Sequence, residues 1–345
     1  MNQSRGTTAL WLAAGGYATW RILTRFRLRG ASVVISGSRG LGLELAREFG
    51  ARHARITLLA RDEAELAAAR NDLLERGVDV LTYACDIGDP EQVRQAVRWI
   101  RETSGVVDVL VNNAGVIQVG PVEHMTQADF EEAMAVHAWG PLYLVREIAP
   151  LMKAQGRGRI VNISSIGGLV AVPHLLPYVM SKFALTGLSD GLRAELARYG
   201  IRVTTICPGL MRTGSHVNAY FKGQQRKEFA WFSLAGSSPL LSMSSRRAAR
   251  RIVRACVRGE ARVITTSQAR LLFLMNALAP GATAAALRVA TRFLPGPSAA
   301  DGDERRPGWA SQSTLAPSFL TRLADRASVR NNEFPTAVAE ESPTR

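Results

Sequence analysis

The chain has 345 residues, 47% of them hydrophobic, and a formal net charge of +14 at pH 7. Its three cysteines, Cys85, Cys207 and Cys256, are odd in number and far apart, which fits neither a disulfide framework nor a metal site and indicates a reducing compartment. The positive charge suggests an anionic membrane or nucleic acid as a partner. No helix-turn-helix, zinc-knuckle or aromatic RNA-binding pattern accompanies it, so we expect no nucleic-acid binding, and a solvated arginine-rich surface remains the alternative.

Residues 1–28 combine an uncharged apolar run, residues 7–20, with a basic segment that begins directly after it. The run is shorter than the roughly 20 apolar residues that a membrane span needs, and Gly15 and Gly16 interrupt it. The basic segment after the run also disfavours a signal peptide. We expect these residues either to form an interfacial anchor on an anionic membrane or to pack on the domain. The protein is then cytoplasmic, with or without attachment to the cytoplasmic face of a membrane.

From residue 29 to residue 266, short apolar runs alternate with longer amphipathic ones. The strand-like runs are ASVVIS, RITLLA, VLTYACD, VDVLVNNAG, GRIVNISS, IRVTTICPG and ARVITT. The helical stretches between them are residues 41–52, 63–76, 91–103, 128–153 and 178–199. Strands that are apolar almost throughout and separated by amphipathic helices predict an α/β fold with a doubly wound parallel sheet of the Rossmann type.

The segment SGSRGLG follows the first predicted strand and opens the first predicted helix. Small residues here let the backbone approach the pyrophosphate of a dinucleotide, which binds at the N-terminus of the helix. Ser36 stands where such loops usually open on glycine, and we expect binding with a slight local shift because Gly37 can supply the unusual backbone angles. The expected nucleotide contacts are Ser36, Gly37, Ser38, Arg39, Gly40, Leu41 and Gly42.

The charges near the glycine loop predict which nucleotide binds. An NAD enzyme places an Asp or Glu about 20 residues after the glycines, whereas an NADP enzyme has an arginine that pairs with the 2′-phosphate. Arg61 follows the second predicted strand, and Arg39 lies inside the loop. These two guanidiniums favour NADPH. The alternative is that Arg61 faces solvent while Asp62 binds the ribose.

Tyr178 and Lys182 are four residues apart at the start of a predicted helix, so they share one face. A lysine ammonium near a phenol lowers the pKa of the tyrosine toward the range where it exchanges a proton at neutral pH. Ser165 ends a predicted parallel strand, where it could hydrogen-bond a substrate oxygen as charge builds on that atom. A tyrosine and lysine at this spacing are often only structural, so the pair alone does not define a site.

Five features occur in the order and spacing of the classical short-chain dehydrogenases/reductases, and the chain resembles that family over roughly residues 29–266. They are SGSRGLG, NNAG, Ser165, YVMSK and PGLMRT. The resemblance implies that Tyr178 is the general acid/base, that Lys182 holds the nicotinamide ribose, and that Ser165 orients the carbonyl. It further implies cofactor contacts from Asp86, Ile87, Asn113, Ala114, Gly115, Tyr178, Lys182, Pro208, Gly209, Met211 and Thr213. Members commonly pair through the helices preceding and containing the Tyr/Lys motif, which implies a homodimer or homotetramer.

His137 departs from the family pattern. It occupies the position of a fourth catalytic residue, normally an asparagine that helps connect the lysine to water. A histidine can also accept or donate in a water chain, so we expect activity with a changed proton path. The alternative is a packed histidine beside a weakened relay.

The preference for NADPH indicates reduction, so together with the resemblance we expect an NADPH-dependent reductase of a small-molecule ketone or aldehyde. A predicted lid, residues 214–245, is rich in apolar side chains and favours an apolar or lipid-like substrate, unless those side chains pack on the C-terminal hairpin instead. The apolar residues of this lid are Phe221, Phe229, Trp231, Phe232 and Leu234. A nucleotide-binding or scaffold protein that has lost turnover is the alternative, and an epimerase or dehydratase is disfavoured.

The end of the chain has two compositions. Residues 267–295 are apolar but divided by Pro280 and Gly281, so neither half can span a bilayer. They could lie on a membrane, or they could form a helical hairpin over the substrate cleft or a dimer face. Residues 296–345 are polar and rich in proline and serine, which predicts disorder.

Overall fold

The computed structural model describes residues 26–298, 302–313 and 315–334. Most of the predicted N-terminal anchor, residues 1–28, therefore lies outside the described residues. Within the described ranges, no helix is both long enough and apolar enough to cross a membrane.

Twelve strands occur in the described residues. They are β1 (Ser32–Ser36), β2 (Arg55–Ala60), β3 (Val80–Ala84), β4 (Val109–Asn112), β5 (Gln118–Val119), β6 (Gly158–Ile163), β7 (Ile201–Cys207), β8 (Met211–Arg212), β9 (Tyr220–Phe221), β10 (Met243–Ser244), β11 (Arg262–Ile264) and β12 (Arg306–Pro307). Seven of them form one parallel sheet in the order β11, β7, β6, β4, β1, β2, β3. The order reverses between β1 and β4, and the crevice at the carboxyl ends of these two strands is where such sheets bind ligands. The predicted doubly wound parallel sheet is confirmed.

Eleven α-helices connect or follow these strands in the described residues. They are α1 (Gly40–Gly50), α2 (Glu63–Glu75), α3 (Pro90–Ser104), α4 (Gln127–Met134), α5 (Gly140–Ala154), α6 (Leu176–Leu196), α7 (Gln225–Ser237), α8 (Ser245–Arg258), α9 (Ser267–Leu278), α10 (Pro280–Thr291) and α11 (Arg322–Arg330).

Apolar side chains cover both faces of the sheet. Ile35 of β1 packs with Phe49 of α1 and Ile252 of α8, while the neighbouring Val34 packs on the other face with Leu144 of α5. This is the alternation that a strand requires, and all five side chains are fully buried. Burial on both faces explains why the strand sequences are apolar throughout.

The stretch predicted as one helix, residues 128–153, is divided. A π-helical turn, Ala135–Trp139, separates α4 from α5. Such turns are frequent at functional sites, and this one carries the buried His137.

The described part of the C-terminal tail is folded against the domain, in contrast to the disorder that its composition predicts. β12 pairs with β9, and α11 buries its small side chains Ala324, Ala327 and Ser328. Small residues let the helix approach closely, and a Cβ on Gly214 would collide with the backbone of Ser328. The composition misleads here because the helix docks through small and polar groups rather than large apolar ones.

Candidate active site

Ser36, which replaces the usual first glycine, joins two segments of the site. Its fully buried hydroxyl accepts hydrogen bonds from the backbone N–H groups of Asn113 (3.0 Å) and Ala114 (3.1 Å). The Asn113 side-chain amide donates back to the Ser36 carbonyl oxygen at 3.0 Å. The serine therefore fixes the NNAG segment beside the glycine loop, a role that a glycine could not supply.

The glycine loop has the backbone geometry of an anion cradle. Gly37 has φ +97°, which favours glycine, and a Cβ on Gly42 would collide with the Gly37 carbonyl oxygen. Helix α1 begins at Gly40 without a side-chain cap, so its first N–H groups are oriented toward an anion. The Ser38 hydroxyl is buried without a hydrogen-bond partner among the described residues. These observations fit a bound pyrophosphate.

The two predicted arginines lie at the end of the cleft beside β2. Arg39 forms an ion pair with Glu65, and Arg61 lies 3.9 Å from the Asp86 carboxylate with more than half of its side chain exposed. Asp62 accepts the Glu65 N–H at 2.9 Å as the N-cap of α2. Because that carboxylate already serves as a cap, the alternative in which Asp62 holds a ribose is disfavoured.

Asp86 and Ile87 line the turn after β3. The Asp86 carboxylate accepts the Gly88 N–H at 2.9 Å, and Ile87 is buried against Gly140 at the start of α5. A Cβ on Gly140 would lie 2.9 Å from the Ile87 side chain, so the helix begins where only glycine fits. The turn is thereby fixed beside the cleft.

Tyr178, Lys182 and Ser165 converge at the carboxyl end of β6. Ser165 caps a short 3-10 turn, and its hydroxyl accepts the Gly167 N–H at 3.0 Å. Tyr178 lies in the first turn of α6, with the Lys182 Nζ atom 5.5 Å from the centroid of its ring. The Lys182 ammonium donates to the Ile163 carbonyl oxygen at 2.9 Å. The sequence prediction that these three side chains share one site agrees with this placement.

The pKa shifts differ from the prediction made for the tyrosine. Desolvation raises the pKa of the Tyr178 phenol, and a hydrogen bond with Ser165 opposes the rise. Burial also lowers the pKa of Lys182 from 10.5 to about 7. A lysine with that pKa carries only part of its charge at neutral pH, so its attraction for a phenolate is weak and desolvation outweighs it. Tyr178 is thus a neutral phenol, whereas the sequence predicts a lowered pKa.

His137 is fully buried, and both of its ring nitrogens bind protein groups. Nε2 accepts the Val116 N–H at 3.1 Å, and Nδ1 lies 2.7 Å from the Ser181 hydroxyl. Ser181 donates its own proton to the Tyr178 carbonyl oxygen at 2.9 Å, so Nδ1 is the donor in the first bond. Burial lowers the pKa of His137 well below its ordinary 6.5, with the nearby Lys182 charge as a second cause. A neutral ring with both nitrogens engaged has no position for a relay water, which favours the packed alternative over the water chain.

The segment PGLMRT connects the catalytic end of the site to the glycine loop. The Pro208 carbonyl accepts the Ile166 N–H at 2.7 Å, next to Ser165, and Gly209 packs on Thr266. At the other end, Thr213 is buried beside Gly40, and Met211 pairs with Met243 in the small sheet of β8 and β10. The structure therefore brings the predicted site residues together along one cleft.

An apolar wall lies beside Tyr178. It consists of the half-buried side chains of Ile117, Val172, Trp231 and Phe232, which share a cluster with Tyr178. Phe221 and Phe229 are buried behind it with ring centroids 5.4 Å apart, so these two belong to the core rather than to a ligand surface. Leu234 is half-buried and lies outside this cluster.

Several supporting residues were not predicted from the sequence. The Ser164 and Thr186 hydroxyls both donate to the Lys182 carbonyl oxygen, at 3.1 and 2.9 Å, and Ser181 orients His137. Ser181 lies inside the YVMSK motif, which is a weak signal for its role. Ser164 and Thr186 have no signal beyond their positions next to Ser165 and one turn after Lys182.

The fold and this cleft define an oxidoreductase of the Rossmann class. The family model described as short chain dehydrogenase matches residues 31–222, and the chain belongs to the short-chain dehydrogenase/reductase family. A relative from Anopheles gambiae, named dehydrogenase/reductase SDR family protein 7-like, is 35% identical over 73% of this chain and 80% of its own length.

Two solved structures show the same fold. The gluconate 5-dehydrogenase from Burkholderia cenocepacia in complex with NADP and tartrate matches with a TM-score of 0.61 and 27% identity, over 72% of this chain and 98% of that chain. The L-sorbose reductase from Gluconobacter frateurii complexed with NADPH and L-sorbose matches with a TM-score of 0.62 and 27% identity, over 69% of this chain and 95% of that chain.

Proposed function

We propose that the protein uses NADPH to reduce an apolar ketone or aldehyde to an alcohol, with Tyr178 as the proton donor. The observation that carries this proposal is the convergence of Tyr178, Ser165 and Lys182 at the carboxyl end of β6, beside an anion cradle. NADPH supplies the hydride when it is bound. All other roles fall to side chains of the chain itself.

Arg39, Arg61 and the glycine loop are the groups that hold the cofactor in this proposal. The two guanidiniums lie where a 2′-phosphate needs positive charge, and Asp62, the carboxylate that would hold a ribose in an NAD enzyme, already caps α2. The solved relatives crystallised with NADP and with NADPH also support NADPH rather than NADH as the cofactor. Ser38, whose buried hydroxyl has no hydrogen-bond partner within the described part of the chain, is a further phosphate ligand.

Tyr178 and Ser165 act on the substrate oxygen. Ser165 orients the carbonyl, and the neutral phenol of Tyr178 donates a proton to the oxygen as negative charge develops there. Desolvation raises the pKa of Tyr178, so the phenol holds its proton at neutral pH and has one to donate to the substrate oxygen. Lys182 holds the nicotinamide ribose and, when protonated, makes the phenol a stronger acid. His137 fixes the first turn of α6 through Ser181.

The wall of Ile117, Val172, Trp231 and Phe232 supports an apolar substrate. Partly exposed apolar and aromatic side chains next to the proton donor favour a ligand that buries its own apolar surface. The two solved relatives contain tartrate and L-sorbose, which are polar. The proposed apolar substrate therefore differs from the molecules bound in those two structures.

The test is a panel of aromatic, aliphatic and sugar carbonyls followed by NADPH absorbance and repeated with NADH. Tyr178→Phe is expected to lower kcat by about 10²- to 10⁴-fold without changing NADPH affinity. Tyr83→Phe, on β3 away from the site, is the matched control. Turnover by Tyr178→Phe equal to that of the wild type would refute the role of the phenol. Failure of the wild type to reduce any carbonyl would favour the nucleotide-binding alternative, which the engaged His137 also supports.

We further propose that helices α9 and α10 bind an anionic membrane surface. Their large apolar side chains are exposed, including Leu278 (84%) and Phe293 just after α10 (85%). The sequence contains no Asp or Glu between Glu260 and Asp301, whereas Arg288 and three other arginines lie there. Exposed apolar side chains in a stretch of sequence whose only charged residues are arginines fit the interface of an anionic bilayer, and membrane attachment would place this hairpin on the lipid.

Cosedimentation with phosphatidylserine vesicles tests the attachment. Leu278→Ser with Phe293→Ser should release the protein, whereas Leu74→Ser, an exposed leucine on α2, should not. Deletion of residues 1–28 tests the N-terminal anchor separately. Recovery of every form in the supernatant would exclude both attachments.

Self-association of the chain through α6 is also proposed. Met180 and Phe183 of α6 and Trp139 just before α5 are each almost half exposed, although they are large and apolar. Helices at this place in the chain commonly pair in family members. Light scattering should give a dimer or tetramer, and Phe183→Glu should give a smaller species.

A further inference from the structure

Residues 322–334, at the end of the last described range, lie on the glycine loop. The Gly40 N–H, at the start of α1, donates to the Asn331 carbonyl oxygen at 3.0 Å. A Cβ on Gly40 would collide with the Glu333 carboxylate, so that carboxylate touches the N-terminus of α1. This is the position in which the helix presents its N–H groups to an anion.

Glu333 has the surroundings of a bound anion. It is 5% exposed, and the Asn218 amide donates to its Oε2 atom at 2.8 Å. Desolvation raises the pKa of this carboxyl, and the charge of Arg39 and the Asn218 hydrogen bond oppose the rise. Arg39 and Gly40 are also residues expected to contact the nucleotide. The Glu333 carboxylate thus lies at the helix terminus that a phosphate would use, while the Asn331 carbonyl oxygen occupies the Gly40 N–H.

Specific hydrogen bonds anchor the segment to the elements that form the cofactor cleft. Arg330 donates to the buried Glu44 carboxylate of α1 (3.0 Å) and to the Ser245 hydroxyl of α8 (2.9 Å). The Asn331 amide donates to the Thr213 carbonyl oxygen at 2.9 Å. Arg47 of α1 donates to the Arg330 carbonyl oxygen at 2.9 Å. The segment is therefore bound at several points and does not merely lie near the loop.

We propose that residues 322–334 form an autoinhibitory strap that occupies the pyrophosphate position and must leave it before the cofactor binds. This inference rests on the proposed cofactor site. Strap and cofactor compete for the Gly40 N–H and for the surface beside Thr213, so only the open fraction of the protein binds nucleotide. Apparent cofactor affinity falls in proportion to that fraction.

Cofactor binding to the full-length chain tests the strap. Asn331→Ala with Glu333→Ala should tighten the Kd for NADPH, measured by ligand fluorescence, by about tenfold if the strap is closed nine-tenths of the time. Arg326→Ala, on the exposed face of α11, is the matched control and should leave the Kd unchanged. Equal NADPH affinities for the wild type and the double variant would overturn the strap.

Hydrogen exchange in the wild type provides a second test that needs no variant. Amide protection of residues 322–334 should fall when NADP+ is added, while protection of β1 and α1 should rise. Unchanged protection of the strap with bound NADP+ would overturn the proposal. If neither the wild type nor the double variant binds NADPH, the cofactor assignment itself fails, and that result is distinct from equal, measurable affinities.

Discussion

The imidazole of His137 donates from Nδ1 to the hydroxyl of Ser181 at 2.7 Å, inside the π-helical turn that precedes α5. Ser181 donates in turn to the carbonyl oxygen of Tyr178, so this histidine holds the first turn of the catalytic helix through its backbone. The other ring nitrogen accepts from Val116. These bonds favour a structural role for His137 over the proton relay that the family pattern implies at this position.

Replacing His137 with asparagine should separate bracing from proton relay. The shorter side chain leaves space for a water near Lys182. If proton supply limits turnover, His137→Asn should therefore raise kcat by about tenfold. This gain is a small part of the roughly 10²- to 10⁴-fold that acid–base catalysis contributes. The measurement is steady-state reduction at saturating NADPH. His137→Phe, which fills the space but leaves the Val116 N–H unpaired, is the control and should not gain activity. An unchanged or lower kcat for the asparagine variant would contradict the gain expected from an added relay water.

Arg61 should determine the choice between the two nicotinamide cofactors. It pairs with Asp86 only at 3.9 Å and is largely exposed, so its guanidinium is available to a 2′-phosphate. Arg61→Ala should weaken NADPH binding by about 10- to 100-fold, the value of one or two charge-assisted hydrogen bonds, and leave NADH affinity unchanged. Titration of both cofactors checks this, with the exposed Arg70→Ala on α2 as control. Equal losses for NADPH and NADH would argue against recognition of the phosphate by this residue.

Burial of Lys182 should make stability depend on pH. Its pKa is lowered from 10.5 to about 7 in the folded state. Between these pH values the unfolded chain binds a proton at this amine and the folded chain does not, so the contribution of Lys182 to stability rises with pH at up to about 1.4 kcal/mol per unit. In urea unfolding at pH 7, 8 and 9, the free energy of unfolding of the wild type should increase relative to that of Lys182→Met. A constant difference between the two proteins would contradict the lowered pKa.

Local sequence was sufficient to predict the parallel sheet and the placement of part of the candidate site. The strands are recognisable because both faces are buried, and the spacing of Tyr178 and Lys182 alone places them on one helical face. Each inference uses residues that are adjacent in the chain or one turn apart, and such patterns follow from the periods of helix and strand.

Contacts between distant residues could not be predicted in the same way. The bonds of His137 reach across 21 and 44 residues, and the bond between Arg330 and Glu44 spans 286. The pKa direction of Tyr178 depends on how many apolar neighbours the fold supplies, which no spacing reveals. The strap was missed because polar composition indicates disorder only when the segment has no specific partner, and here its partners lie in α1 and α8.

The link between His174 and Glu228 should contribute strongly to stability near the site. Glu228 of α7 is fully buried and accepts from His174 Nδ1 (2.8 Å) and from Trp231 Nε1 (2.6 Å), so it ties the lid helix to the loop before Tyr178. His174→Ala should lower the free energy of unfolding by about 3 kcal/mol, because it leaves the buried carboxylate with one partner fewer. The double variant His174→Ala with Glu228→Leu removes the carboxylate as well and should recover part of this loss, as measured by urea unfolding. A double variant at least as unstable as His174→Ala would show that the cost does not arise from the unpaired carboxylate.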